Sequence, residues 1–210
     1  MLRILVADDH EVVRKGLVKV LAETFQPIKV DEARNGPEAV SKVLKSIYDL
    51  VVLDLKMPGK SGLEVLKEIK QHRPKLPVLI LSMHPEEQFA IRAMRAGASG
   101  YLTKESAGDE LVLAIRKALN GERYISESLA QILAGELDSD SGKPVHEILS
   151  DREYQVMLMI ASGKPVGAIA KELCLSAKTI SSYRTNILLK TRMKNNAEIT
   201  HYAIQNKLVD

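Results

Sequence analysis

Five residues with chemical capacity stand at the ends of short apolar runs. Asp8 and Asp9 follow ILVA, Asp54 follows LVVL, Ser82 follows VLIL and Lys104 follows GYLT. Adjacent carboxylates repel, and each loses hydration beside a buried strand. If the strands they close are neighbours, the three acids converge, and a hard divalent cation is the simplest way to neutralise them. Mg²⁺ takes oxygen ligands, with one or two carboxylates completed by water. A hydroxyl at Ser82 and a compact positive charge at Lys104 suit an oxyanion such as phosphate. A carboxylate, a divalent metal, a hydroxyl and an ammonium together describe phosphoryl transfer to Asp54, with charge spread over metal and lysine.

The elements that would position these groups are regular. Residues 2–7 read as a strand, and Val13, Leu17, Val20, Leu21 and Phe25 have helical spacing over 10–25. Strands at 28–33, 49–54, 75–82 and 99–103 alternate with helices at 36–47, after Ser61, at 85–96 and at 106–120. Such alternation implies a flavodoxin-like, doubly wound, five-stranded parallel sheet, with ligands beyond the carboxyl ends of its strands.

Charge divides the chain into three parts. Residues 1–121 carry 19 Lys/Arg against 16 Asp/Glu, residues 122–147 carry 2 against 6, and residues 148–210 carry 9 against 5. The middle part is read as a linker, in which SESLAQILA has the pattern of a short helix and GELDSDSGKPV that of a polar connector. The last part is a small all-α domain of four helices, opened by a capping box at Ser150 and Glu153. Two of them flank the turn LCLSAKT, as in a helix-turn-helix. In the third helix Ile180, Tyr183 and Ile187 share one face, while Lys178, Ser181, Ser182 and Thr185 share the other. No acid lies between Glu172 and Glu198, so Lys178, Arg184, Lys190, Arg192 and Lys194 make a basic surface suited to DNA phosphates.

Other classes are narrowed by composition. No apolar run approaches the ~20 residues of a membrane span, and the first residues lack the order of a signal peptide; the expected location is cytoplasmic. Cys174 is the only cysteine, which excludes an intrachain disulfide, and its place between Leu173 and Leu175 reads as a small core side chain. The 5 histidines show no metal-ligand spacing.

The pair DD at 8–9, VVLDLKMPGKSG at 51–62, LS at 81–82 and GYLTK at 100–104 resemble a bacterial response-regulator receiver domain. That resemblance implies Asp54 as the phosphoryl acceptor, served by a sensor histidine kinase. It implies Mg²⁺ bound directly by Asp9, Asp54 and the Met57 carbonyl, with Asp8 acting through water. Ser82 and Tyr101 resemble the switch pair, the hydroxyl moving to the phosphoryl group and the ring turning inward. The series LSDRE, IASG, IAKEL, LS and KTI over 148–210 resembles a LuxR-type DNA-binding domain, in which Lys178, Thr179, Ser181, Ser182, Arg184, Thr185 and Lys190 would meet DNA. Pro165, Val166 and Gly167 depart from its usual polar entry to the second helix, as Ser181, Ser182 and Thr185 depart from the frequent Lys on the recognition helix. The whole chain is similar to a NarL/FixJ-type response regulator, a phosphorylation-controlled transcription regulator that dimerises and is not an enzyme in the ordinary sense. A phosphohydrolase using an aspartyl-phosphate would carry a second Asp two residues after the first, where this chain has Lys56. A receiver that works without phosphorylation is the remaining alternative.

Overall fold

The computed structural model describes residues 1–58, 60–138 and 144–209. Its contacts divide the chain into two compact units, Met1–Ala134 and Gly135–Asp210.

In the first unit β1 (Leu2–Ala7), α1 (Glu11–Thr24), β2 (Ile28–Ala33), α2 (Gly36–Lys45), β3 (Leu50–Asp54), α3 (Gly62–His72), β4 (Val78–Ser82), α4 (Glu86–Arg95), β5 (Gly100–Thr103) and α5 (Ala107–Leu119) alternate. The strands form one parallel sheet in the order β2-β1-β3-β4-β5. β3 and β4 are buried along their whole length, which explains their near-continuous apolar sequence. Ile4, Val6, Leu50, Val52, Leu79 and Leu81 pack with Leu17 and Leu21 of α1 and with Leu111, Ala114, Ile115 and Ala118 of α5. The alternate residues Leu5, Val51, Leu53, Val78 and Ile80 are equally buried on the other face.

Register carries the strand ends to one edge. Ala7 lies opposite Leu53, Asp54 opposite Leu81, and Ser82 opposite Thr103. The residues at or just past these positions are Asp8, Asp54, Ser82 and Lys104. Parallel pairing thus converts positions spread over a hundred residues of sequence into one pocket rim.

Two local expectations for this unit are corrected. Val20 is 39% exposed, whereas Arg14 joins Leu17 and Leu21 on the buried face of α1. The helix after Ser126 is α6 (Glu127–Asp138), which continues past Ala134 into the predicted connector. One Gly costs about 1 kcal/mol in a helix without ending it. Of the connector, residues 139–143 lie outside the described residues. Tyr124 bridges to Gly100 of β5, and its N–H donates to the Ser99 carbonyl, so this stretch is held against the first unit.

In the second unit a 3₁₀ turn (Val145–Ile148) precedes α7 (Asp151–Ala161), α8 (Val166–Glu172), α9 (Ala177–Thr191) and α10 (Asn196–Gln205). Ser150 and Glu153 form the reciprocal cap of α7. Tyr154, Met157, Ile169, Ile180, Ile187, Ile199 and Ala203 make the core. Cys174 is exposed, contrary to its reading as a core residue. It takes a left-handed backbone (φ 54°) just beyond α8, where the Leu175 N–H closes on the Ala170 carbonyl. That turn keeps Leu173 inside and puts the thiol out.

Candidate functional site

Asp54 ends β3 and is 2% exposed. Its Oδ1 accepts the Lys56 N–H at 3.1 Å, and its Oδ2 accepts from Lys104 Nζ at 2.8 Å. Lys104 Nζ also forms an ion pair with Asp8 Oδ2 at 2.6 Å. One ammonium therefore spans two buried carboxylates. Burial, then the charge of Asp8, push the Asp54 carboxyl up to about 6, with Lys104 opposing the rise. Burial alone would lower the Lys104 ammonium, but Asp54 and Asp8 hold it above its ordinary value.

Asp8 is buried, whereas Asp9 stands at the rim with its side chain 31% exposed. His10 Nδ1 is 2.8 Å from Asp9 Oδ1 and 3.2 Å from Asp8 Oδ1. Ligand atoms of Asp8, Asp9, His10 and Asp54 all lie within 4.8 Å of one another. Buried carboxylates that outnumber their counter-charge fit a hard cation bound through oxygen. Met57 lies with its side chain buried in the connection from β3 to α3.

Ser82 and Tyr101 are both 0% exposed. They hold the same residue from two sides. Ser82 Oγ accepts the His84 N–H at 3.0 Å, and the Tyr101 hydroxyl donates to the His84 carbonyl at 2.8 Å. The ring of Tyr101 is therefore turned inward, and burial pushes its phenol far up.

Arg14 belongs to this site and was missed in the sequence. It is 4% exposed; its NH1 donates to the Asp8 carbonyl at 2.8 Å and its Nε to Glu32 on β2 at 3.1 Å. It fixes the backbone between the paired acids. The available signal was a lone cation three and seven residues before Leu17 and Leu21, inside an apolar stripe. Arg14→Ala is expected to cost roughly 2 kcal/mol in urea unfolding, the scale of a buried carbonyl losing a charged donor. Arg14→Lys should recover part of this; equal stability of all three proteins would remove the anchoring role.

On α9, Lys178, Ser181, Ser182, Thr185 and Lys190 are exposed, and Thr179 and Arg184 are half-buried. The hydroxyls of Ser181, Ser182 and Thr185 donate to the carbonyls of Ala177, Lys178 and Ser181. Their protons are spent within the helix, so outward they present acceptor lone pairs. Arg184 Nε donates to Asn196 Oδ1 at 2.6 Å, and Lys190 pairs with Glu153 at 2.7 Å.

Fold and pocket define an α/β switch module, followed by a helix-turn-helix module. Residues 4–116 match the response regulator receiver domain, and residues 147–203 match the luxR family of bacterial regulatory proteins. The chain is 38% identical to the response regulator UvrY of Escherichia coli K12, covering 99% of this chain and 96% of that protein. It is 37% identical to the response regulator GacA of Pseudomonas protegens, covering 100% and 99%. It is also similar to a solved structure of RcsB from Salmonella enterica serovar Typhimurium, bound to promoter rprA in the presence of the phosphomimetic BeF₃⁻. There the TM-score is 0.66 at 28% identity, covering 96% of this chain and 97% of that one. The chain belongs to the response regulators that join a receiver domain to a LuxR-type DNA-binding domain. Among the described residues no helix is long and apolar enough to cross a membrane.

Proposed function

We propose that this regulator is switched by phosphoryl transfer to Asp54 from a sensor histidine kinase in the cytoplasm. The observation that carries this reading is the pairing of buried Asp54 with Lys104 beside Asp8. An Asp54 oxygen attacks phosphorus while the bond from phosphorus to the donor nitrogen breaks, giving an acyl phosphate. Mg²⁺, when bound, neutralises the acids and the transferring group. Asp9, Asp54 and the Met57 carbonyl would hold it directly, with Asp8 through water. Lys104 exchanges its carboxylate partner for a phosphoryl oxygen, and the Ser82 hydroxyl turns from His84 to another. The protein then dimerises on a DNA site of two half-sites, with α9 in the major groove.

Intact-mass measurement after incubation with Mg²⁺ and acetyl phosphate tests the first step. A gain of one phosphoryl group, absent in Asp54→Asn and without Mg²⁺, is expected. No gain in a folded, Mg²⁺-binding protein would favour a receiver that works without phosphorylation.

Lys178 stands exposed in the first turn of α9. Lys178→Ala should weaken binding about equally on all DNA sequences and lower the salt slope by about 1, as loss of a phosphate contact does. Anisotropy titrations at several salt concentrations would show it; an unchanged slope would move that contact elsewhere.

A further inference from the structure

Beyond the pocket, an acidic side chain links it to the segment that leads out of the first unit. Glu86 opens α4 and is 8% exposed. Ser126 Oγ lies 2.7 Å from each of its carboxylate oxygens, and the Ser128 hydroxyl donates to the same group. Ser126 Oγ in turn accepts the Leu129 N–H at 3.0 Å, capping the first turn of α6. Leu129 is 0% exposed.

The route from Asp54 to this cluster is short and stiff. Ser82 and Tyr101 both hold His84. Pro85, with its φ fixed at −60°, joins His84 to Glu86. Only Pro85 separates His84 from Glu86 in the chain.

We propose that Glu86, Ser126 and Ser128 form a clasp through which the state of the Asp54 pocket controls the order of the α6 entry. The inference rests on the reading of Asp54 as phosphoryl acceptor. When Ser82 Oγ turns to a phosphoryl oxygen, His84 loses its backbone acceptor, the β4–α4 connection shifts and the clasp opens. The Ser126 side chain that caps the first turn of α6 then loses its anchor on Glu86, and the tether to the second unit loosens at Ser126. A local charge change thereby biases an element with two arrangements.

Hydrogen exchange of the full-length chain tests this, with phosphoryl gain on the same samples followed by intact mass. With Mg²⁺ and acetyl phosphate, amides over 126–132 should exchange about fivefold faster or more, the size of a local opening. The pair Ser126→Ala and Ser128→Ala should show the fast exchange in both states while taking up phosphoryl like the wild type. Glu86→Ala, which breaks the clasp from the other side, should match that pattern, with thermal midpoints confirming that all variants are folded. Complete phosphoryl gain with unchanged or slower exchange at 126–132 would overturn the clasp alone. So would a serine double variant that keeps wild-type protection. No phosphoryl gain in the wild type would overturn the reading of Asp54 and this inference with it.

Discussion

Asp54→Asn is expected to stabilise the metal-free protein at pH 8, although it abolishes the proposed phosphorylation. The folded chain raises the Asp54 carboxyl from its ordinary 3.8 to about 6, through burial and the neighbouring Asp8 charge. The folded state therefore binds this proton more tightly than the unfolded chain does. Stability from the protonated group is fully present below about pH 4 and is lost as pH rises through about 6. A rise of that size corresponds to about 3 kcal/mol at neutral pH and above. Asn removes the penalty, leaving Lys104 paired with Asp8. Urea unfolding in a chelator, compared between the two proteins from pH 4.5 to 8, should show the wild type falling behind by up to about 3 kcal/mol. Mg²⁺ should close most of this gap by binding only the folded site, contributing about 2.7 kcal/mol at a hundredfold excess over Kd. The variant should gain much less. Parallel stability curves in the absence of metal would sink the idea that the acids are strained against one another.

The parts of the site legible in sequence were those fixed by strand ends. Asp8, Asp54, Ser82 and Lys104 each terminate a run whose composition marks a buried strand, and parallel register then leaves little freedom in where they meet. The outer face of α9 was legible for a similar reason, since helical period alone separates Ile180 and Ile187 from Lys178 and Ser182. What escaped depends on tertiary partners. Arg14 looked like an ordinary polar position until the Asp8 carbonyl gave its guanidinium a buried acceptor. Cys174 looked apolar by its neighbours, but a left-handed turn reverses its direction. The segment 122–147 stood apart by charge, which reports solvation and says little about packing. Tyr124 holds its first part to the sheet, and Ser126 and Ser128 hold it to α4, contacts that no local pattern announces.

Gly62→Ala should disable the pocket without touching a charged group. Gly62 is the first residue of α3, directly after the Ser61 cap, and its N–H donates to the Leu55 carbonyl at 2.9 Å. A Cβ there would sit 2.5 Å from Leu55 Cα, with the Asp54 carbonyl oxygen closer still. These are backbone atoms of the strand end that carries the acceptor carboxylate, so no side chain can swing away to make room. Either α3 is pushed off β3, or Asp54 moves relative to Asp8 and Lys104. Stability should fall by roughly 3 kcal/mol, the upper part of the range for overpacking. The rate of phosphoryl gain should fall about a hundredfold, since a misplacement near 1 Å is enough for that. Gly36→Ala is the informative control, because its Cβ would meet chiefly the Val65 side chain rather than the backbone of β3. It should lose stability with far less effect on phosphoryl gain. If Gly62→Ala kept both wild-type stability and rate, the close approach of α3 to the end of β3 would not be what sets the position of Asp54.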